Sequence, residues 1–405
     1  MNLKAFFYAP SVRRTLAGVV LTLVSGCSHQ PLISNSVHHH SPPEPSTAAE
    51  LPPVELAVAT RVMQPSQISR LATLLPTLQR RRLIYVGETH TRYDHHLVQL
   101  AIIQALHQTH PDLRVAVEYF QPSYQGTLDA WIAGQGDEKD LLQGTDYYSR
   151  WGYDYRLYRP LFQFLREAKI PLIALNAPTE LVAAVGKSGW DGVNEVLRPS
   201  LPTSVDRSDK DYETRLHQTF ANHRDPKRDF QRFLDVQLLW DEYMAEGIVR
   251  LLQKGDGPLI VLAGTGHLLY GSGIPHRVAR RIAVPATIVI NGVSAEEAES
   301  GMGDYLLFSP EQVLPPPGQL GVFLDNEFTG DGVRIKDVAT EGKTSQTGLQ
   351  AGDRLITVAG QPVTGLTDIK WALLDHHPGD TVTVTLKRDF LWWEGNEQTL
   401  AVVLH

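Results

Sequence analysis

Cysteine is almost absent from this chain. Among 405 residues only Cys27 is present, so a disulfide framework within the chain is excluded. Concentrated positive charge is also lacking, because the formal net charge is -8 and no long basic block occurs. Nucleic-acid phosphates need a concentrated positive face, and we therefore set nucleic acid aside as the main partner.

Two motifs of well-known enzyme classes are incomplete. The stretch VGKSG (185–189) imitates the end of a phosphate-binding loop, but Leu181 stands where that loop needs its leading glycine. The stretch YGSGI (270–274) lacks the first glycine of a G-x-S-x-G nucleophile elbow, since Tyr270 occupies that position. Serine-nucleophile and nucleotide chemistries are therefore not predicted.

The N-terminal apolar run, LAGVVLTLV (16–24), is too short to span a bilayer. Three basic residues precede it: Lys4, Arg13 and Arg14. An apolar run of this length after positive charges predicts a signal peptide over residues 1–26.

The tetrad VSGC that follows resembles the bacterial lipobox, in which the cysteine becomes the lipidated first residue of the mature chain. The resemblance implies a lipid anchor on Cys27, with a small buried cysteine as the alternative. Ser28 next to it implies the outer membrane, facing the periplasm. Residues 27–56 are rich in Ser, Pro and His without an apolar period, which indicates a disordered tether.

Between residues 57 and 300 the chain alternates short apolar runs with longer helical ones, which is typical of βα units that build a mostly parallel sheet. The predicted strands are RLIYVGE (82–88), LRVAVEYF (113–120), IPLIALNAP (170–178), GPLIVLAGTGH (257–267) and ATIVING (286–292). Both faces of these strands are apolar, so the sequence predicts an α/β domain with helices on either side of the sheet. Residues 121–165 and 178–250 have helical spacing and predict a helical insertion.

Polar side chains follow four of these strands. They are Glu88 and His90 after the first, Glu118 and Tyr119 after the second, Asn176 after the third and His267 after the fourth. The carboxyl ends of parallel strands lie on one edge of a sheet, where ligands bind. We therefore expect these side chains to meet in one site.

Two glutamates with several histidines suit zinc, manganese or iron, and they also suit general acid–base catalysis. His90 is the leading ligand, because it lies in the turn nearest the next helix N-terminus, where the dipole disfavours imidazolium. In that helix His95 and His96 lie about 100° apart, so only one of them can point squarely at the sheet edge. Buried Glu88 and Glu118 need a metal, Arg or His partner, and a salt bridge to a helix arginine is the simpler alternative.

The pattern changes near residue 300. Residues 301–318 are rich in proline and indicate a linker. Residues 319–405 contain shorter strands, Gly-rich turns and one helical stretch, which indicates a second, β-rich domain.

Six ordered motifs resemble those of the ChaN-type haem-binding lipoproteins, within the wider Tiki and TraB superfamily. They are GETHTRYDHHLVQ, VAVEYF, WGYDYRLYRPLFQF, LIALNAP, DEYMAEGI and LAGTGHLLYGSGIPHR. The resemblance implies haem held between a parallel α/β part and a smaller helical part, a homodimer sharing cofacial haems, and a role in haem or iron uptake. The superfamily also contains proposed metal-dependent peptidases and ester hydrolases. Its paired G-x-x-H motifs fall on 87–90 and 264–267, and its catalytic carboxylate falls on Glu118 or Glu88.

Haem and a bare metal ion make different demands. A haem needs a broad apolar slot and an axial His or Tyr, whereas a hydrolytic metal needs three ligands and an open position. The axial ligand stays open among His90, His95, His96, Tyr119 and His267. The alternative site for zinc or another divalent metal consists of His90, Glu118 and His267. Aromatic residues of the insertion either line the slot or simply pack: Tyr147, Tyr148, Trp151, Tyr153, Tyr155 and Tyr158.

The segment 330–374, GDGVRIKDVATEGKTSQTGLQAGDRLITVAGQPVTGLTDIKWALL, resembles a PDZ domain of the bacterial HtrA type. It departs from that pattern at TSQTG, where Ser-Pro-Ala is more usual. The resemblance places the peptide-binding loop on Leu320, Gly321 and Val322, whose amides would receive a C-terminal carboxylate while an extended peptide joins the sheet edge. A purely structural domain is the alternative.

Together these features predict an anchored lipoprotein that binds haem through its α/β domain and a protein tail through its PDZ domain. One alternative is a metal-dependent hydrolase to which the PDZ domain delivers substrate. Another is a scaffold without enzymatic activity.

Overall fold

The computed structural model describes residues 69–221, 229–339, 347–388 and 396–405. The predicted signal peptide, the tether and Cys27 lie outside these residues. Leu71–His405 form one compact unit. Among the described residues, no helix has both the length and the apolar character needed to cross a bilayer.

The first domain contains a six-stranded sheet in which every pair of neighbours is parallel. Its strands are β1 (Leu83–Glu88), β2 (Arg114–Val117), β3 (Leu172–Ala174), β4 (Leu259–Gly264), β5 (Ala286–Asn291) and β6 (Tyr305–Leu307). The strand order is β3–β2–β4–β1–β5–β6. Every residue of β1 and β4 is buried, as continuous apolar strands covered on both faces should be.

Helices cover the sheet and form the predicted insertion. They are α1 (Leu71–Leu78), α2 (Tyr93–His107), α3 (Gln125–Ile132), α4 (Glu138–Gly144), α5 (Tyr147–Arg150), α6 (Arg159–Glu167), α7 (Thr179–Ser188), α8 (Lys210–Ala221), α9 (Phe230–Lys254) and α10 (Ile274–Ala279). The helices α3 to α6 lie between β2 and β3, and α7 to α9 lie between β3 and β4. The predicted α/β class and its helical insertion are confirmed.

The strand β6 was not predicted. It lies within residues 301–318, where the proline content indicates a linker, and pairs with β5 through Val289 and Tyr305. A three-residue strand has too few positions to show a period, so only its pairing with β5 identifies it.

The second domain is built on an antiparallel sheet in the order β12–β11–β9–β8–β7. Its elements are β7 (Val322–Leu324), β8 (Val333–Val338), β9 (Arg354–Val358), β10 (Gln361–Pro362), α11 (Leu366–Ala372), β11 (Thr381–Lys387) and β12 (Glu397–Val403). The short strand β10 pairs with β9, and β7 is an edge strand among the described residues. This is the predicted β-rich domain.

The two domains contact each other through α11 and the residues after it. Gln143 of α4 donates a hydrogen bond to Asp368 of α11 at 2.6 Å. Arg159 at the start of α6 forms an ion pair with Asp375 at 2.6 Å. Leu374 is only 5% exposed and packs within the hydrophobic core of the first domain. Polar and apolar contacts therefore join the second domain to the helical insertion.

Candidate functional site

Three neighbouring strands bring their following residues together at the carboxyl edge of the parallel sheet. The strand β4 lies between β2 and β1, so His90, Glu118 and His267 follow adjacent strands. Oε1 of Glu118 lies 3.5 Å from Nε2 of His267 and 4.0 Å from Nε2 of His90. All three side chains are buried. The expected convergence at this edge is therefore present for these residues.

Each imidazole of this cluster has a second carboxylate on its other nitrogen. Nδ1 of His90 donates a hydrogen bond to Glu88, and Nδ1 of His267 donates one to Oδ1 of Asp241 at 2.6 Å. The two Nε2 atoms consequently face the same oxygen of Glu118. Glu88 therefore orients His90 here, in the way carboxylates commonly orient metal-binding or catalytic imidazoles.

Gly264, the last residue of β4, brings its backbone close to both Glu118 and His90. Its backbone N–H donates to Oε2 of Glu118 at 2.7 Å. A Cβ atom at this position would lie 3.0 Å from Cε1 and 3.2 Å from Nε2 of His90. A side chain at this position would therefore push the imidazole ring away by a few tenths of an ångström, and glycine avoids this displacement.

Electrostatics hold His267 and Glu118 in their charged forms. Burial acts to lower the pKa of His267, but the carboxylates of Glu118 and Asp241 outweigh it and raise the pKa to about 10. Burial acts to raise the pKa of Glu118, but His267, His90 and the Gly264 amide lower it to about 2. Opposite charges in direct contact therefore replace the lost hydration.

His90 and its two neighbours in α2 differ in their environment. Burial opposes the charged form of His90, but Glu88 raises its pKa above the usual value, which is the reverse of the expected disfavouring of its imidazolium by the helix N-terminus. Burial lowers the pKa of His96, and it lowers that of His95 to about 4. Nδ1 of His95 accepts the backbone N–H of Thr89 at 3.0 Å.

His96 contacts the backbone of His90 through its imidazole. Its two ring nitrogens lie 3.2 Å from Oε1 of Gln99 and 3.3 Å from the carbonyl oxygen of His90. Asn176, which follows β3, donates its backbone N–H to the carbonyl of Phe120 at 2.9 Å. His96 thus contacts the backbone of His90, and its Nε2 also lies 3.8 Å from Glu88.

Aromatic rings of the insertion form a wall against the cluster. The ring centroids of Trp151 and Tyr153 lie 4.7 and 4.9 Å from that of His90. Tyr158 donates its hydroxyl to the His90 carbonyl at 3.2 Å and packs on Tyr119 at 4.6 Å. The predicted aromatic set divides here, because Tyr147 instead packs against Tyr148 and Tyr155.

Metal binding gains no support from this arrangement. Across the described ranges, no group of three His, Cys, Asp or Glu side chains has the arrangement needed to hold a metal ion. In the metal alternative, Oε1 of Glu118 lies 3.5 Å from Nε2 of His267 and 4.0 Å from Nε2 of His90.

Two family models match the chain. The model described as haem-binding uptake, Tiki superfamily, ChaN matches residues 74–278, and a PDZ domain model matches residues 315–404. The chain belongs to the ChaN haem-binding family. It carries a PDZ domain after its ChaN domain.

Several individual proteins are similar to parts of the chain. Protein RETICULATA-RELATED 5 of Arabidopsis thaliana, a chloroplastic protein, is 24% identical over 253 residues, which are 56% of this chain and 34% of the plant protein. The chain thus spans about a third of that relative's length. A structure of ChaN of Campylobacter jejuni with cofacial haem is 18% identical, with a TM-score of 0.49, and the match covers 59% of this chain and 92% of that one. A serine endoprotease from Yersinia pestis is 23% identical over 22% of this chain and 28% of its own, with a TM-score of 0.18.

Asp241 of the ChaN domain was missed as a site residue, although the motif DEYMAEGI contains it. In α9 it lies within a stripe of buried residues spaced by three and four: Leu234, Leu238, Asp241, Ala245, Ile248 and Leu252. An acid on the apolar face of a helix must find a buried partner. That position in the stripe was the available signal, but the partner, His267, could not be known from the sequence.

The predicted peptide-binding loop precedes the edge strand β7 of the PDZ domain. Leu320 is buried in the core of that domain, and Val322 begins β7 opposite Val338 of β8. Gly321 has a φ of 70°, and its carbonyl accepts the N–H of Ala339 at 2.9 Å. The loop thus leads directly into an edge that a further strand can join.

Proposed function

We propose that the ChaN domain binds haem at the carboxyl edge of its sheet, with His90 as the axial ligand. The observation that carries this proposal is the arrangement of His90, whose Nδ1 is held by Glu88 and whose ring lies against Trp151 and Tyr153. His90 is also the most exposed histidine of the cluster, at 5% against 1% for His267. Membership of a haem-binding family supports haem as the bound molecule.

The residues present fit the demands of haem. An axial ligand needs an oriented imidazole nitrogen, and the macrocycle needs apolar surface around it. Glu88 supplies the orientation, and Trp151, Tyr153 and Tyr119 supply aromatic surface. The ring contacts with His90 must open when haem enters, because the imidazole is otherwise covered. When bound, haem would supply an iron centre whose electronics His90 and its hydrogen bond to Glu88 tune.

A haemin titration tests the proposal. We expect a shifted Soret band for the wild-type protein and an affinity at least about tenfold weaker for His90→Ala. His110→Ala is the matched control, since His110 precedes β2 at the opposite edge of the sheet and should leave the titration unchanged. Absence of a Soret shift in the wild type, or equal titrations for His90→Ala and the wild type, would contradict it.

We also propose that the PDZ domain binds the C-terminal tail of a partner protein by addition of a strand to β7. The loop at 320–322 and the edge position of β7 support this mode. A displayed library of C-terminal peptides is the probe, and selected peptides should bind with micromolar or better affinity. Gly321→Ala should abolish binding, because a side chain is strained at a φ of 70°, whereas Gly365→Ala, with no atom within 4 Å of its Cβ, should not.

Beyond the two binding sites, we propose that Cys27 is lipidated and anchors the protein to the outer membrane facing the periplasm, where it takes part in haem or iron uptake as a homodimer. The lipobox-like VSGC and the tether after it support the anchor. Labelling of cells with radioactive palmitate should mark the wild type and not Cys27→Ala. A soluble, unlabelled wild-type protein would refute the anchor, and sedimentation equilibrium decides the oligomeric state.

A further inference from the structure

We propose that Asp241 is a positioning residue of the haem site, which orients His267 in the way that Glu88 orients His90. The proposal deepens the proposed function and depends on it only for the identity of the bound molecule. The orientation itself is a property of the protein without haem and is tested without it.

The contacts around His267 define its orientation at both ring nitrogens. Nδ1 donates to Oδ1 of Asp241 at 2.6 Å, and Nε2 lies 3.5 Å from Oε1 of Glu118. A carboxylate on Nδ1 fixes both the tautomer and the ring plane, because rotation of the ring would break this hydrogen bond. Nε2 is thereby directed into the space shared with His90 and Glu118.

Asp241 is itself held in place from the other side. The hydroxyl of Tyr212 in α8 donates to Oδ2 of Asp241 at 2.6 Å. The guanidinium of Arg277 lies 4.8 Å from the centroid of the Tyr212 ring and packs against it. All of these side chains are buried, so the hydrogen bonds are shielded from water and constrain one geometry.

A simpler role for Asp241 would be charge compensation for the buried Arg277. Asp241 contributes to this compensation, because Nη1 of Arg277 lies 3.9 Å from it, but this distance is too long for a hydrogen bond, and Nε of Arg277 lies 3.3 Å from Glu242. Arg277 also donates from Nη1 to the carbonyls of Ser272 and Gly273 at 2.8 and 3.0 Å. These hydrogen bonds of Arg277 therefore go to backbone carbonyls, while those of Asp241 go to His267 and Tyr212.

The experiment uses the full chain without haem and observes the imidazole Nδ1–H of His267 by proton–nitrogen NMR, assigned by its loss in His267→Gln. Asp241→Leu, which has no acceptor, should abolish this signal, and Asp241→Asn should retain it in part through its amide oxygen. Tyr212→Phe keeps the ring and should shift the signal. The Tyr212→Phe variant therefore tests the proposal even if Asp241→Leu does not fold.

Asp235→Leu is the matched control, because Asp235 lies in the same helix, is buried and pairs with Arg207 at 2.6 Å. It should leave the His267 signal unchanged. An unchanged signal in both Asp241→Leu and Tyr212→Phe would overturn the proposal, and so would an equal change in Asp235→Leu.

Haemin titrations of the same variants separate this proposal from the proposed function. If haem binds at the cluster, Asp241→Leu should weaken haemin binding by about tenfold and Asp235→Leu should not. If the wild type does not bind haemin but the NMR signal changes as expected, the positioning role of Asp241 stands and the proposed function fails.

Discussion

At the residue scale, the site depends on how closely the backbone of β4 approaches the ring of His90. A methyl group at Gly264 would lie 3.0 Å from Cε1 of that ring, and the neighbouring Trp151 leaves the ring little room to retreat. We expect Gly264→Ala to displace His90, to weaken haemin binding by about tenfold and to cost about 2 kcal/mol in the free energy of unfolding.

Gly126→Ala is the control for Gly264→Ala, since no atom lies within 4 Å of the Cβ that it would add in α3. It should leave haemin binding unchanged and increase stability slightly through its helix propensity. Equal haemin affinities for the two variants would contradict the close-approach explanation.

The charge state of His267 predicts a pH dependence of stability. Burial opposes protonation, but Glu118 and Asp241 raise its pKa to about 10 in the folded protein, against about 6.5 in the unfolded chain. A raised pKa contributes stability that is complete below about pH 6.5 and is lost as the pH rises toward about 10. Between these limits, the free energy of unfolding of the wild type should fall relative to that of His267→Gln.

Urea unfolding across this pH range measures the effect. His377→Gln serves as the control, because His377 is exposed and its replacement should leave the pH profile of the wild type unchanged. Parallel profiles for the wild type and His267→Gln would show that the imidazolium is not stabilised in this way.

At the element scale, the segment after α5 covers the histidine cluster. Trp151 and Tyr153 lie against the His90 ring, and Trp151 also packs on Tyr119 at 5.3 Å. We expect Trp151→Ala to speed the association of haemin, measured by stopped-flow absorbance, and to lower the free energy of unfolding by about 3 kcal/mol.

Trp131→Ala distinguishes the covering role from a general loss of stability. Trp131 of α3 is buried in the same insertion and its ring packs under Arg166, with the guanidinium carbon 4.0 Å from the ring centroid. Its replacement should cost a similar free energy without changing the association rate. The same rate in both variants would mean that Trp151 does not restrict entry.

At the scale of the whole molecule, the PDZ domain is joined to the insertion that covers the site. Leu374 packs within the core of the ChaN domain, and Gln143 and Asp368 form a hydrogen bond across the contact. We expect the wild type to unfold in one calorimetric transition. Leu374→Ala should lose about 3 kcal/mol and separate the unfolding of the two domains.

Leu366→Ala is the matched control for this contact. Leu366 begins α11 in the same domain but is 38% exposed, so its truncation should keep the single transition. Two transitions in the wild type, or a single one in Leu374→Ala, would contradict a stable contact between the domains.

Much of the fold could be predicted from local sequence patterns. The apolar strands, the helical spacing between them and the change of pattern near residue 300 each depend on residues close together in the chain. The strand β6 was not predicted, because three residues are too few to show a hydrophobic period. Asp241 was not predicted as a site residue, because its partner, His267, lies 26 residues further along the chain, in another element.

By itself, the sequence determined that polar side chains would follow the strands of a parallel sheet, because the alternation of apolar and helical runs is a local property of the chain. Only the tertiary structure decided that β4 lies between β1 and β2, which brings His90, Glu118 and His267 together. It also decided that a carboxylate holds each imidazole and that the PDZ helix packs on the insertion. Strand order and helix packing depend on contacts between distant segments, which no local period encodes.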